Sequence, residues 1–132
     1  MTPLRDAATV LVVDDEQPIR VYARRVLEAE GYQVTEAPNA LEAIALLAAG
    51  APLDLLMADL HMPDLRGDEM ARRIRTSRAD LKVLYVTGHI DRLLEDRPML
   101  WEGEAYLDKP FTPGGLLEAV SLLLYGRLKK KQ

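Results

Sequence analysis

No cysteine occurs anywhere in the 132 residues, which excludes a disulfide framework and any thiolate metal site. No apolar run approaches the length needed to cross a bilayer, and Met1 to Val10 lacks the apolar middle of a signal peptide. Internal repeats, linkers and low-complexity stretches are missing as well. Positive charge is also in short supply. The net charge is -4, and the one basic cluster, Lys129, Lys130 and Lys131, sits at the very end. Such a tail reads as a solvated helix end beside its C-terminal dipole. This balance argues against broad nucleic-acid binding. The expectation is a chain that binds neither nucleic acid nor membrane, compatible with a cytoplasmic location.

What is present is ordinary globular material, with 48% hydrophobic and 29% charged residues. The length suits one domain with a single core. Residues 1–132 are expected to form that domain, with a core over about 9–125 between a short lead-in and the basic tail.

Elements follow from the spacing of apolar residues and from the turn residues between them. Thr9 to Val13 is β-branched and apolar, a strand that stops at Asp14-Asp15-Glu16. Pro18 suits the first turn of a helix, along which Ile19, Tyr22, Ala23, Val26 and Leu27 form the apolar face. Arg20, Arg24, Arg25 and Glu28 fall opposite, and Gly31 ends the helix. Tyr32 to Ala37 is a second strand. Asn39 reads as the cap of a helix over Ala40 to Ala49, with Glu42 placed to complete a capping box, and Gly50 stops it.

Leu55 to Ala58 is apolar on both faces, as in the middle of a parallel sheet, and ends at Asp59. Pro63 forbids its continuation. A third helix is expected over Gly67 to Thr76, a fourth strand over Lys82 to Val86, and a fifth over Glu104 to Leu107. Between the last two, Leu93, Leu94 and Trp101 suggest a fourth helix that Pro98 shortens or breaks. A proline in a helix interior costs about 3 kcal/mol. Thr112 and Pro113 open a last helix with Leu116, Val120, Leu123 and Leu124 inward. Five strands alternating with five helices imply an α/β domain, a doubly wound parallel sheet with helices on both faces.

The polar residues at the strand ends form the candidate site. Asp14 and Asp15 follow the first strand, Asp59 the third, Thr87 the fourth and Lys109 the fifth. In open parallel sheets, ligands bind outside those ends, where the strand order reverses. With the order 2-1-3-4-5, Asp14, Asp15 and Asp59 share one pocket. Three close carboxylates repel, and at least one should have a raised pKa. A hard divalent cation removes the conflict, and Mg²⁺ combines carboxylates with waters and phosphate oxygens. Lys109 adds a second positive charge and Thr87 a hydroxyl. The set suits building and holding an acyl phosphate on Asp59.

Val12-Val13-Asp14-Asp15-Glu16, Asp59-Leu60-His61-Met62-Pro63, Thr87-Gly88 and Lys109-Pro110 together resemble the receiver domain of two-component response regulators. The resemblance implies a flavodoxin-like (βα)5 fold over roughly Thr9 to Tyr125. It implies that Asp59 is the phosphoacceptor and that Asp14 and Asp15 bind Mg²⁺ with it, joined by the backbone carbonyl of His61. Thr87 matches the switch hydroxyl, Tyr106 the switch aromatic, and Lys109 the lysine that contacts the phosphoryl group, with a cis bond to Pro110. Gly67 matches the glycine of the loop after the phosphoacceptor.

His61 and His89, two residues after Asp59 and Thr87, occupy positions that border the phosphoryl group in this family. An imidazole titrates near neutrality, so they are expected to modulate aspartyl-phosphate lifetime with pH. The bland reading of both is a solvated loop residue.

The implied partners are a histidine kinase or histidine phosphotransfer protein. A downstream protein would bind the face of the fourth helix, fifth strand and fifth helix. The expected activity is phosphoryl acceptance and autodephosphorylation, without conventional turnover. The start at Met1 suits a stand-alone regulator, whereas Phe111-Thr112-Pro113 resembles receivers of hybrid kinases. An alternative is a Mg²⁺-dependent phosphatase with an aspartate nucleophile, in which His61 would replace the usual second aspartate as general acid. A flavodoxin-like cofactor binder is a third reading, but it lacks a phosphate loop rich in glycine and hydroxyls after the first strand.

Overall fold

A computed structural model describes residues 8–88 and 103–126. In chain order the elements are β1 (Thr9–Val13), α1 (Gln17–Ala29), β2 (Gln33–Ala37), α2 (Ala40–Ala48), β3 (Leu55–Asp59), α3 (Gly67–Arg75), β4 (Lys82–Thr87), β5 (Glu104–Asp108) and α4 (Pro113–Tyr125). Here α4 is the helix that the sequence pattern makes the fifth. The expected broken helix, with His89, Pro98 and Trp101, lies outside the described residues, as does the basic tail.

All strand pairs are parallel, and the order is β2-β1-β3-β4-β5. The expected doubly wound sheet is therefore observed. Alternate residues point to opposite faces of a strand, and both faces are apolar here. On one, Leu11, Val13, Leu56, Ala58, Val83 and Tyr85 meet α2 and α3 through Ala43, Leu47, Met70 and Ile74. On the other, Val10, Val12, Leu55, Met57, Leu84 and Val86 meet α1 and α4 through Ala23, Leu27, Leu116 and Val120. This double burial explains why β1 and β3 read as unbroken apolar runs. No helix among the described residues is long and apolar enough to cross a membrane.

The ends of the elements sharpen the sequence reading. The Asn39 side chain accepts from the Glu42 N–H, as a cap should. Glu42 does not return to the backbone; its carboxylate accepts instead from the Asn39 amide at 2.9 Å. A second carboxylate shares that helix end, since the Leu41 N–H donates to Asp64 at 3.0 Å. The loop after β3 is thereby tied to α2. Thr112 caps α4 through the Gly115 N–H, with Pro113 at its first position. Gly31, Gly50 and Gly103 have positive φ, and each lies in a turn leading into a strand. On α4, Leu116 and Val120 are buried, whereas Leu123 and Leu124 are only partly so, and Ser121 joins the buried face.

β3 runs through Asp59, which pairs with Val86 of β4. Past it, the Leu60 N–H donates to Val86 and the Gly67 N–H returns to the Leu60 carbonyl, each at 3.0 Å. The loop closes so tightly that a Cβ on Gly67 would lie 2.5 Å from the Asp59 carbonyl oxygen and 3.2 Å from Leu60 Cα. Both are backbone atoms, one at the end of the central strand and one just past it, and cannot turn aside. Gly67→Ala is therefore expected to lower the unfolding free energy by about 1–3 kcal/mol. Gly114, at the start of α4, has open space where a Cβ would be. Gly114→Ala should leave stability unchanged or raise it by up to about 1 kcal/mol. Urea unfolding of the two variants beside the parent checks both signs.

Candidate functional site

The sheet delivers four of the predicted side chains to one edge. Asp14 directly follows β1, Asp59 and Thr87 end β3 and β4, and Lys109 directly follows β5. Asp14 is 2% exposed, Asp59 6% and Thr87 fully buried, so three polar groups are held in the molecule where apolar residues normally sit. Asp15 is exposed beside them. Carboxylate oxygens of Asp14, Asp15 and Asp59 all lie within 4.8 Å of one another.

Hydrogen bonds fix the buried carboxylates. Asp14 accepts from the Glu16 N–H at 2.9 Å, and Asp59 from the His61 N–H at 3.1 Å. The Lys109 ammonium lies 3.0 Å from Asp14, 3.5 Å from Asp59 and 3.8 Å from Glu16. Its backbone N–H donates to the Thr87 carbonyl at 3.0 Å, and the Lys109–Pro110 bond is cis.

One ammonium among three or four carboxylates leaves an excess of negative charge. Burial pushes Asp59 up to about 6, and the Asp14 and Asp15 charges push the same way against the His61 N–H and Lys109. Burial likewise raises Asp14 above the ordinary carboxylate range, opposed by the Glu16 N–H and Lys109. Burial disfavours the Lys109 ammonium, but the adjoining Asp14, Asp59 and Glu16 carry its pKa above the usual lysine value. Oxygen donors, close spacing and surplus negative charge fit a hard divalent cation. These residues could hold one.

Other predicted residues are placed as follows. His61 is exposed and meets Asp59 through its backbone N–H. Tyr106 pairs with Tyr85, two residues before Thr87, so Tyr106 and Thr87 occupy the same sheet face. The rings of Tyr106 and Tyr85 are 5.4 Å apart, and the Tyr106 hydroxyl oxygen is buried. His89 lies outside the described residues.

Two groupings were not foreseen from the sequence. Arg20, expected to face solvent, instead turns to the site and donates to the Asp14 carbonyl at 2.7 Å. Its other partner is Glu36 of β2, so an arginine near a strand end facing a glutamate of the neighbouring strand was the available signal. Glu104 of β5 is buried, accepts from the Tyr85 hydroxyl at 3.0 Å and pairs with Arg75 of α3 at 2.9 Å. Nothing in the local pattern around Glu104 marks it.

A family model described as the response regulator receiver domain matches residues 10–121. The chain is 31% identical over 124 residues to sensor kinase CckA of Brucella abortus, covering 93% of this chain and 13% of that protein. It is 31% identical over 121 residues to response regulator SaeR of Staphylococcus aureus, covering 92% of this chain and 52% of that one. The chain thus spans about half or less of the length of these relatives. The crystal structure of a response regulator receiver protein from Sinorhizobium medicae WSM419 superposes with a TM-score of 0.80 at 29% identity, covering 90% of this chain and 95% of that one.

The raised pKa of Asp59 makes stability depend on pH. Between about 4, where an unfolded aspartate titrates, and about 6, the folded chain holds a proton that the unfolded chain has lost. Stability attributable to Asp59 is therefore intact below that window, declines as pH rises through it, and is lost above it. Asp59→Asn should stabilise the metal-free chain by about 1–3 kcal/mol at pH 7, with the gain vanishing near pH 4. Unfolding in the presence of a chelator, compared at the two pH values, measures this difference. An equal gain at both would contradict it.

Proposed function

The chain belongs to the response regulator receiver domain family, a phosphoacceptor module of two-component signalling, and on that premise we propose that Asp59 is its phosphoacceptor. The observation that carries the assignment is the convergence of Asp59 with Asp14, Asp15 and Lys109 at one sheet edge. Asp59 is the carboxylate delivered by the central strand, and it has Lys109 on one oxygen and the His61 N–H on the other. The reading takes residues 1–132 as one receiver domain and locates it in the cytoplasm.

In the proposed transfer, a carboxylate oxygen of Asp59 attacks the phosphorus of a phosphohistidine. The new P–O bond forms as the P–N bond breaks, and the imidazole leaves. Hydrolysis later returns the carboxylate and inorganic phosphate. Phosphoryl transfer depends mostly on positioning and charge stabilisation. Asp14, Asp15 and Asp59, with the His61 carbonyl, would hold Mg²⁺, which supplies positive charge to the phosphoryl oxygens. Lys109 supplies another positive charge from the neighbouring strand end. Asp14 and the His61 N–H keep Lys109 and Asp59 in place. The chemistry is single-turnover on the protein itself, so the domain is a signalling acceptor rather than a conventional enzyme.

A phosphoryl group adds about -1.5 to -2 charge at neutral pH. Thr87 would turn its hydroxyl to this charge, and Tyr106, on the same sheet face, would follow. The face formed by the expected fourth helix, β5 and α4 would then present the change to a downstream protein. The donor is a histidine kinase or histidine phosphotransfer protein. The relatives include a sensor kinase and a response regulator, each of which this chain matches over about half its length or less.

Incubation with acetyl phosphate and Mg²⁺ should add one phosphoryl group by intact mass. Chelator or Asp59→Asn should abolish the adduct, and Lys109→Ala should greatly reduce it. A full adduct on Asp59→Asn would overturn the assignment. Steady turnover of a small phosphate monoester, lost in Asp59→Asn, would instead indicate the phosphatase chemistry.

His61 and His89 are proposed to tune the aspartyl-phosphate lifetime. His61→Ala and His89→Ala should alter the rate of phosphate loss between pH 6 and 8, where an imidazole changes charge. Decay profiles identical to the parent across that range would remove this role.

A further inference from the structure

Arg20 connects α1 to the acidic edge in a way that sequence periodicity does not reveal. Its Nη1 donates to the Asp14 carbonyl at 2.7 Å, and its Nε donates to Glu36 at 3.1 Å. Both side chains are mostly buried. The second Glu36 oxygen takes Arg24 at 2.6 Å, so one carboxylate braces two arginines of α1. Glu36 pairs with Val12 across the β1–β2 ladder, which places this brace beside the end of β1.

The bond to the Asp14 carbonyl has a specific mechanical effect. That carbonyl belongs to the peptide unit that ends in the Asp15 nitrogen. On its other side the Asp14 N–H donates to Ala37 at 3.3 Å. Anchoring the carbonyl sets the plane from which Asp15 leaves the strand. Asp14 has its own restraints, in Lys109 and the Glu16 N–H. Asp15 is exposed, and no hydrogen bond or ion pair to a described residue holds its carboxylate. Among the described residues, the backbone it springs from is what restrains its direction.

We infer that Arg20 is a positioning residue for the divalent cation, acting by orienting the Asp14–Asp15 peptide and hence the Asp15 carboxylate. The inference rests on the reading of Asp14, Asp15 and Asp59 as a cation site. A cation acting only through its charge would weaken the binding of another cation, and removing it would tighten binding. Glu36 offsets that charge, so the loss of orientation dominates. Outer residues that orient metal ligands commonly change affinity by about 10–100-fold.

The test is a titration of the full chain with Mg²⁺, followed by amide NMR, for Arg20→Lys, Arg20→Gln and Arg24→Gln. Arg20→Lys keeps the charge but not the forked geometry. Both Arg20 variants should bind Mg²⁺ on the order of tenfold more weakly. Arg24→Gln, which removes the same charge from the same Glu36, should stay within about twofold of the parent. Parent-like affinity in Arg20→Lys, or tighter binding in Arg20→Gln, overturns the inference. Amide hydrogen exchange of the metal-free chain gives a second readout. Exchange at Glu16, whose N–H donates to the Asp14 carboxylate, should quicken in both Arg20 variants while the β3 amides, which report intact folding, stay protected. Unchanged exchange at Glu16 overturns the inference without reference to any metal. A parent chain that shows no response to Mg²⁺ overturns the cation site itself, and the exchange data then still decide whether Arg20 holds the peptide.

Discussion

Mutual repulsion among Asp14, Asp15 and Asp59 is the constraint that the rest of the structure accommodates. Two of these carboxylates are attached to the ends of adjacent central strands, so neither can withdraw without breaking the β1–β3 ladder. Lys109 reaches across to both but supplies one positive charge against several negative ones. The site is therefore held under electrostatic tension by a rigid frame. Such an arrangement costs stability in the resting chain, and a divalent cation held there would relieve it. On the proposed reading, charge that is unfavourable at rest becomes useful once a cation and a phosphoryl group arrive.

The frame can bear this because its apolar interior is two-sided. The central strands β1 and β3 are buried along their length, with apolar clusters of strand and helix residues on both faces of the sheet. Among the described residues, the buried carboxylates are Asp14 and Asp59 at one edge and Glu104 on β5. The last is satisfied by Tyr85 and Arg75, so α3, β4 and β5 are joined by polar contacts as well as packing. Tyr106 lies against the same Tyr85. The proposed switch aromatic thus sits beside a braced polar cluster, and any turn of its ring occurs against that fixed neighbour.

Much of this was legible in the sequence because local patterns determine it. β1 and β3 are short apolar runs with abrupt carboxylate ends, which is what burial on both faces leaves in a chain. Asn39 and Thr112 announce helix starts through their side-chain chemistry, and both act as caps. What escaped depends on residues distant in the chain. Asp64 reaches a helix end 23 residues away, and Glu104 meets a tyrosine 19 residues away. Arg20 was misplaced because a helical projection shows which face is polar but not which strand lies beside it. Periodicity cannot distinguish an arginine facing water from one facing Glu36.

The turns that require left-handed backbone lie on the rim opposite the carboxylates. Gly31, Gly50 and Gly103 each precede a strand, whereas the acidic residues follow one. The two rims are thus constrained in different ways, one by backbone conformation and the other by charge, with a sheet's length between them. A side chain that strains a turn on the first rim acts on folding without standing among the carboxylates of the second.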